Sequence, residues 1–388
     1  MRKEYEVLGN YIRIVDVRNQ DLQCKKLLGV SIEKRFMHSI ANIVGTDLSN
    51  YKIVKKGQFA YGPVTSRNGE KISIALLNEE ECIISSSYIV FSIIDDNKLD
   101  PRYLMLWFMR PEFDRYARFM SNGSAREVFD WDCMCGVELP VPPISEQRKI
   151  IHDYQVITSR IELLKNINDN LEAQAQAFFE EKFASMYLSD VLPKGWKKRR
   201  LDSICTVKGG KRLPAESELL DYPTAHPYIR VRDVGDNRYV CLTDQFQYID
   251  EETYQAISRY IVGSNDIIIS IVGTIGLIGK IHTTLNKANL TENCVKLTDI
   301  KEVTPDYLYY TLCMKKNNKE IDLLTVGAVQ AKLPMYNIQS IDIVVPPKDL
   351  LKAFQNKMEA LNGLIEPNTV EIQRLIELRN IILGILSS

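Results

Sequence analysis

Residues 150–178 read IIHDYQVITSRIELLKNINDNLEAQAQAF, and this stretch decides the architecture of the chain. Its apolar residues recur every seven positions in two interleaved rows. Such a heptad pattern predicts one long helix packed along another helix. The predicted seam of this helix is formed by Ile150, Ile157, Leu164, Leu171 and Phe178 in one row and by Tyr154, Ile161, Asn168 and Ala175 in the other.

A matching pattern near the C-terminus supplies the partner helix. Phe354 follows Ile150 by 204 residues, and the neighbouring seam positions keep this offset, so the two segments share one register. Pro367 should kink or divide the second helix, because proline removes a backbone donor and clashes with the preceding turn. Asn168 should fix the register at a cost in stability, so we expect Asn168→Leu to tighten the pair yet permit slippage. The second seam is formed by Leu351, Met358, Ile365, Ile372, Arg379 and Leu386 and by Phe354, Leu361, Asn368, Leu375 and Ile382.

The same offset extends beyond the helices. Residues Asp100–Leu104 match Thr304–Leu308, and Val141–Pro143 match Val345–Pro347, each 204 positions apart. The chain is therefore predicted to be a duplicated unit of class α+β, with short strands separated by turn-rich loops. The predicted architecture is two similar globular domains, 1–143 and 187–347, joined by two long antiparallel coiled-coil-like helices, 144–186 and 348–388.

Composition restricts the function. With 388 residues and 45% hydrophobic content the chain can bury several cores, and a net charge of -1 can still hide basic patches on one face. Its eight cysteines lack metal-ligand spacing, which predicts reduced thiols and no metal site. Without a signal peptide or an apolar run of about 18 residues, we expect a cytoplasmic protein with no membrane span. Scattered histidines and the lack of a phosphate-loop motif predict no catalytic site and no cofactor bound by this chain.

Basic and small polar residues cluster in loops that could contact DNA. Between Lys197 and Arg212 only Asp202 opposes the cations, and such a run can release counterions from phosphates. The small polar loop at 121–126 recurs at 325–332, and Arg and Asn side chains match guanine and adenine edges. A solvated face or an ordinary hairpin loop would explain the same residues. The candidate DNA-contact residues are Tyr61, Thr65, Ser66, Arg67, Asn68, Lys71, Asn122, Ser124, Arg126, Lys208, Lys211, Arg212, Thr274, Asn289, Thr291, Asn293, Gln330 and Lys332.

The paired helices could hold the two domains at a fixed distance from each other. A helix over residues 150–178 is roughly 43 Å long, and DNA repeats about every 34 Å, so two domains held on such helices could read two separated sites on one duplex. A coiled-coil scaffold whose domains bind protein is a competing interpretation, and it predicts no salt-dependent affinity for DNA.

Several short motifs, taken in their order and spacing, resemble the specificity subunits of type I restriction-modification systems over essentially the whole chain. These motifs are Tyr11–Arg13 with Asp16–Asn19, Gly123–Arg126, Leu139–Gln147, Leu192–Trp196 and Val345–Pro347. The resemblance implies two target-recognition domains that each read one half of a split DNA sequence, with the paired helices as the spacer.

The resemblance also implies partners. Similar subunits bind two adenine methyltransferase subunits, largely through the helices, and the complex recruits restriction subunits. S-adenosylmethionine, ATP and magnesium would then belong to those partners, and this chain would be non-catalytic. The second repeat departs from the family pattern, since Leu350-Leu351 replaces Glu146-Gln147. A recognition subunit whose partner is a fused nuclease-methyltransferase fits the same motifs. The target sequence itself depends on loop geometry and DNA shape.

Overall fold

The computed structural model describes residues 5–39, 46–66, 71–121, 127–189, 191–235, 238–243, 245–327 and 331–387, with only the backbone at 315, 316 and 318–320. The chain divides into two compact units. The first unit comprises Met1–Leu163 and Arg374–Ser388, and the second unit comprises Leu164–Gln373. Each unit therefore contains one globular domain and a part of each long helix.

The first globular domain is built around an antiparallel sheet with the strand order β2-β9-β6-β7. Helix α1 begins where sequence chemistry favours it, because Asp100 accepts a hydrogen bond from the Arg102 amide and Pro101 occupies the first turn. Stacked Phe59 and Phe91 rings, 4.8 Å apart, lie in the core between the sheet and the helices. The elements are β1 Tyr5–Val7, β2 Ile12–Val15, β3 Leu28–Val30, β4 Phe36–His38, β5 Lys52–Lys55, β6 Phe59–Tyr61, β7 Ile74–Leu76, β8 Glu81–Ile84, β9 Ile89–Ile93, α1 Pro101–Phe108, α2 Pro111–Met120, α3 Trp131–Cys135 and β10 Glu138–Pro140.

The first long helix follows this domain. Helix α4 spans Ile144–Phe179 and continues through a π-helical turn, Glu180–Ala184, into the short helix α5, Ser185–Leu188. Its first turn carries Glu146, whose negative charge favours the helix dipole.

The second globular domain repeats the sheet of the first. Its main sheet has the order β12-β19-β16-β17-β14, and the first four strands pair antiparallel as β2, β9, β6 and β7 do. A three-stranded sheet, β15-β13-β18, is added to this plan. The elements are β11 Lys197–Arg200, α6 Leu201–Ile204, β12 Thr206–Gly209, β13 His226–Ile229, β14 Tyr239–Val240, β15 Gln247–Ile249, α7 Glu251–Ala256, β16 Ile267–Ser270, β17 Ile278–Ile281, β18 Asn289–Leu290, β19 Cys294–Thr298, α8 Pro305–Cys313, α9 Lys315–Leu324, α10 Met335–Gln339 and β20 Asp342–Val345.

The second long helix, α11, spans Lys348–Ile385 as one element with Pro367 inside it. Of the two predicted outcomes at Pro367, the division into two pieces is therefore wrong, and the kink stays a prediction. The residue four positions earlier is Gly363, and the proline ring must pass the carbonyl of this residue. Thr369 donates its hydroxyl to the Ile365 carbonyl at 2.8 Å, so polar atoms around the proline are still bonded within the helix.

Within the second unit the two long helices run antiparallel. The Phe178 and Phe354 rings stack 6.1 Å apart, and Asn168 is hydrogen-bonded to Asn368. Residue numbers therefore increase along α4 while those of the contacting residues in α11 decrease. The seam residues of both helices are buried or half-buried. The structure thus confirms the predicted class, an α+β chain with two similar domains and long paired helices. In the described ranges, no helix has both the length and the apolar character needed to cross a membrane.

Candidate nucleic-acid interface

Two loops are tied together at one edge of the first sheet. The Thr65 amide donates to the Glu127 carbonyl at 3.0 Å, and the Phe129 amide donates to the Pro63 carbonyl at 2.8 Å. Val64 forms a bridge with Val128 between these two bonds. The loop after β6 is thereby fixed to the segment that follows the small polar loop at 121–126.

The second domain repeats this pairing. The Leu333 amide donates to the Ile271 carbonyl at 3.0 Å, and Val272 forms a bridge with Lys332. Leu333 follows Phe129 by the same 204 residues that relate the helices. We call these two segment pairs, 62–66 with 127–129 and 271–274 with 331–333, the paired loops.

Backbone hydrogen bonds connect the paired loops of the second domain to the segments around Asn293 and Lys211. We call this continuous surface the contact strip. The Ile271 amide donates to the Asn293 carbonyl at 2.8 Å, and the Lys211 amide donates to the Leu290 carbonyl at 2.8 Å. Several predicted contact residues therefore lie at the same edge of the sheet. Those with exposed side chains there are Lys208, Lys211, Arg212, Thr274 and Lys332, and Asn293 is half-exposed.

The turn that presents Thr274 depends on its glycines. Gly273 and Gly276 have φ angles of +81° and +84°, a region that glycine enters without steric cost. The Ser270 hydroxyl donates to the Thr274 carbonyl at 2.6 Å and closes the turn. The turn chemistry alone accounts for both glycines.

Gly210 also has a structural reason. A Cβ atom at this position would lie 1.9 Å from the Thr291 carbonyl oxygen, so only glycine fits beside that backbone. The close approach that the Gly209-Gly210 pair permits is therefore made to the chain's own segment after β18.

Four predicted contact residues lie in the interior. The exposed fractions are 0% for Tyr61 and Asn289, 2% for Thr65 and 5% for Thr291. Thr65 instead donates its hydroxyl to Ser121 Oγ at 2.9 Å, and the Asn289 amide donates to the Ile257 carbonyl at 3.0 Å. These four side chains are therefore buried in this structure, and their predicted contact with DNA stays a prediction.

Much of the basic run is neutralised within the domain. Lys198 pairs with Asp342 at 2.8 Å, and Arg200 pairs with Asp202 at 2.9 Å. The Lys198–Asp342 pair bridges the paired strands β11 and β20. They compete with any phosphate for the same cations.

The cations at the strip differ in their partners. Arg212 Nε donates to Glu292 Oε1 at 2.7 Å. Burial, the largest single cause, would raise the pKa of Glu292, but the hydrogen bonds from Arg212, Thr291 and the Glu292 amide and the charge of Arg212 together hold the pKa below its usual value. The Lys211 ammonium lies 5.9 Å from the centre of the Tyr260 ring, and across the described ranges no carboxylate oxygen lies within 4.0 Å of it. Lys211 is therefore more available to an external anion than Arg212, which is paired with Glu292.

In the first domain, Ser66 is exposed and Lys71 is exposed with Glu33 at 3.3 Å. The remaining predicted contacts fall outside the described residues. They are Arg67, Asn68, Asn122, Ser124, Arg126 and Gln330.

The structure explains the repeated motifs around the helix starts. The hydroxyl of Tyr103 donates to the Pro140 carbonyl at 3.1 Å, and its counterpart Tyr307 donates to the Val344 carbonyl at 2.5 Å. Gln147 is fully buried, accepts the Asp100 amide and donates to the Lys98 carbonyl. The tyrosine bonds join α1 to β10 and α8 to β20 within the domains, and the Gln147 bonds attach α4 to the segment before α1.

The departure at the second helix start follows from its surroundings. Leu351, which stands in the place of Gln147, packs against the apolar core of the second unit. An apolar contact thus replaces the hydrogen bonds that the glutamine makes in the first unit.

The duplicated domains with paired helices define the class of the protein, and comparison with known families agrees. A model of the type I restriction modification DNA specificity domain matches the chain twice, over residues 7–173 and 193–377. The chain therefore belongs to the family of type I restriction-modification specificity subunits.

Curated relatives share the family at low identity. The chain is 21% identical over 427 residues to the type I restriction enzyme HindI specificity subunit of Haemophilus influenzae, covering 92% of this chain and 91% of that one. It is 23% identical over 304 residues to the MjaIX specificity subunit of Methanocaldococcus jannaschii, covering 75% and 69%. The crystal structure of the type I S subunit from M. genitalium is similar in fold, with a TM-score of 0.56, 16% identity and coverage of 100% and 96%.

Proposed function

We propose that this chain reads a split DNA target, with one globular domain for each half-site, and directs partner methyltransferase and restriction subunits to it. The observation that carries the proposal is the repetition of the paired loops. Equivalent backbone hydrogen bonds fix these loops in both domains, at the corresponding edge of the main sheet of each domain. A DNA target in two parts requires one recognition surface for each half-site, and the two domains carry equivalent surfaces.

The side chains of the strip suit the two kinds of DNA contact. Lys208, Lys211 and Lys332 are exposed cations that can neutralise phosphates and position the domain. Thr274 and Asn293 carry the donors and acceptors that pair with base edges. The strip thus supplies both anchoring and discrimination.

The long helices would set the spacing of the half-sites. Helix α4 has 36 residues, roughly 54 Å of helix at about 1.5 Å per residue. Since α4 and α11 each contribute to both units, a change in their length would change the spacer that the chain accepts.

The helices also offer surface to partners. Apolar side chains that are at least a third exposed recur along both of them, in addition to the buried seam. On α4 these are Val156, Leu163 and Ile167, and on α11 they are Leu350, Leu364, Leu378, Ile381 and Ile385. Exposed apolar rows on a helix mark contact sites for other proteins. We propose that two methyltransferase subunits dock there and that restriction subunits join them, with S-adenosylmethionine, ATP and magnesium bound by those partners.

A methylation map tests the proposal. Adenine methylation is mapped in cells with and without this chain, and a split motif should disappear when the chain is absent. If no split motif depends on the chain, the proposal fails.

Affinity measurements then test the contact strip. The complex is titrated onto a duplex that carries the mapped motif, with Lys211→Gln as the test and Lys198→Gln as the matched control, since Lys198 is paired with Asp342. Lys211→Gln should weaken binding evenly across sequences and reduce the slope of log affinity against log salt by about one. Affinity independent of salt would support a protein-binding scaffold instead.

A further inference from the structure

A buried ionic network joins the second domain to both long helices of the second unit. The Arg238 side chain, 1% exposed, lies just before β14 and sends its guanidinium between them. Its Nε lies 2.9 Å from Glu172 Oε1 on α4, and Nη2 donates to Asn362 Oδ1 on α11 at 2.6 Å. A third nitrogen, Nη1, donates to the Tyr310 hydroxyl on α8 at 3.0 Å. The Arg238 side chain thus contacts both long helices, α4 and α11, and helix α8 of the second domain.

A second carboxylate completes the network. Asp306, with a side chain 4% exposed, accepts Lys280 Nζ at 2.7 Å and the Asn362 amide at 3.1 Å, and Arg238 Nη1 lies 3.6 Å away. The two cations therefore meet two carboxylates, Asp306 and Glu172. The network is neutral as a whole, so each charge has a partner of opposite sign.

Stability alone is a weak reason for such a network. Desolvating charges costs several kcal/mol per ion, and well-packed apolar residues often serve as well or better. Apolar packing is already present nearby, where Phe179, Tyr307 and Phe354 pack together. Ionic hydrogen bonds can fix the orientation of the domain, because they weaken steeply when donor and acceptor lose alignment. A rotation of the domain on the helices would break several of them together.

This arrangement is not repeated among the described residues of the first domain. Arg102 stands at the position that corresponds to Asp306, and it is paired with Asp100 in its own domain. The hydrogen bonds described between that domain and α4 are made by the uncharged side chains of Gln147 and Tyr154. The ionic network is therefore a special feature of the second domain.

We propose that Arg238, with Glu172, Asp306 and Asn362, is a positioning device that fixes the second domain on the helix pair and so sets the half-site spacing that the chain accepts. The inference rests on the proposed function. These residues act through the placement of the contact strip and not by touching DNA.

The test compares spacer selectivity in the complete complex. The variant Arg238→Met/Glu172→Gln removes one charge of each sign and leaves Lys280 paired with Asp306. The matched control, Arg200→Met/Asp202→Asn, removes an exposed ion pair of the same domain. Methylation is measured on duplexes with the mapped half-sites and spacers that are native, one base pair shorter and one base pair longer.

We expect the preference for the native spacer to fall about fivefold to tenfold in the test variant, the effect of losing one or two directional hydrogen bonds. The control should keep the wild-type ratio. General destabilisation would lower methylation at all spacers in proportion, so the ratio between spacers is the decisive quantity. If the test variant keeps the wild-type ratio, the positioning role is overturned.

A second variant with a smaller change keeps the test decisive if the first variant does not fold. Asn362→Leu removes two hydrogen bonds and leaves no charge unpaired, and it should relax the spacer ratio in the same direction. An unchanged ratio in this variant also overturns the inference. The proposed function fails separately, if the wild-type complex shows no split motif at all.

Discussion

The side-chain amide of Asn368 donates a hydrogen bond of 2.9 Å to Asn168 Oδ1 and joins the two long helices. The Asn168 amide in turn lies 3.4 Å from Thr369 Oγ1. All three side chains are half-buried in a seam that is otherwise mostly apolar. A polar pair in such a seam costs stability but admits only the register in which the two asparagines meet.

This pair predicts how leucine substitutions behave. Asn168→Leu alone removes the acceptor of Asn368, so its gain in stability should be small. The double variant Asn168→Leu/Asn368→Leu should be more stable by about 1 kcal/mol, because apolar residues replace a polar pair without leaving an unpaired group. Thermal melting measures the gain, and cysteine cross-linking along the helices detects a slipped register. A large loss of stability in the double variant would show that the seam is wrongly assigned.

Adjacent glycines give a second prediction. Gly210→Ala would place Cβ 1.9 Å from the Thr291 carbonyl oxygen, whereas nothing lies within 4 Å of a Cβ at Gly209. Gly210→Ala should therefore destabilise the second domain by at least ~1–3 kcal/mol, the usual cost of overpacking. Gly209→Ala is the control and should change stability by less than about 0.5 kcal/mol. Urea denaturation of the two variants separates the cases, and equal midpoints would contradict the close packing.

Asp100 should make the first domain sensitive to acid. Burial would raise its pKa, but the hydrogen bonds from the Arg102 side chain and amide outweigh burial and lower it. A carboxyl with a depressed folded-state pKa stabilises the fold above its unfolded pKa of about 3.9, and this contribution is lost as pH falls through the folded-state pKa. Asp100→Asn keeps the helix cap but does not titrate, so its stability should depend less on pH in that range. Asp100→Ala should cost about 1 kcal/mol through loss of the cap.

The measurement is the free energy of unfolding of each variant at several acidic pH values. Thr304, which caps α8 through the Tyr307 amide at 3.2 Å, offers the control, since Thr304→Ala removes a cap that carries no charge. A parallel pH dependence of wild type and Asp100→Asn would rule out the proposed contribution of the carboxylate.

His282 should act in a different pH range. Its side chain is 3% exposed, and burial lowers its pKa, with Glu366 opposing the shift. Because the folded-state pKa lies below the unfolded value of about 6.5, the unfolded chain binds the proton more readily. Stability should therefore decline as pH falls below about 6.5 and level off below the folded-state pKa. His282→Asn can still cap the turn at residues 283–285 and should flatten this decline when unfolding is followed from pH 8 to pH 5.

The features that repeat along the chain could be predicted from the order of its residues. The heptad rows placed residues such as Ile161 and Ile365 in the seam, and both are buried. The offset of 204 residues related Tyr103 to Tyr307, which make the same bond to a carbonyl in each domain. Periodicity and internal repetition reflect local backbone geometry and a shared core, so they can be read without knowing the tertiary contacts.

Which polar residues are available at the surface became clear from the folded chain. Asn289 and Lys211 both belong to polar segments of the second domain, yet one is buried and the other is exposed at the contact strip. The ionic network of Arg238 likewise joins residues separated by long stretches of chain, such as Glu172 and Asn362. Burial and ion pairing depend on which distant segments meet in the fold, and the spacing of residues along one sequence does not record those meetings.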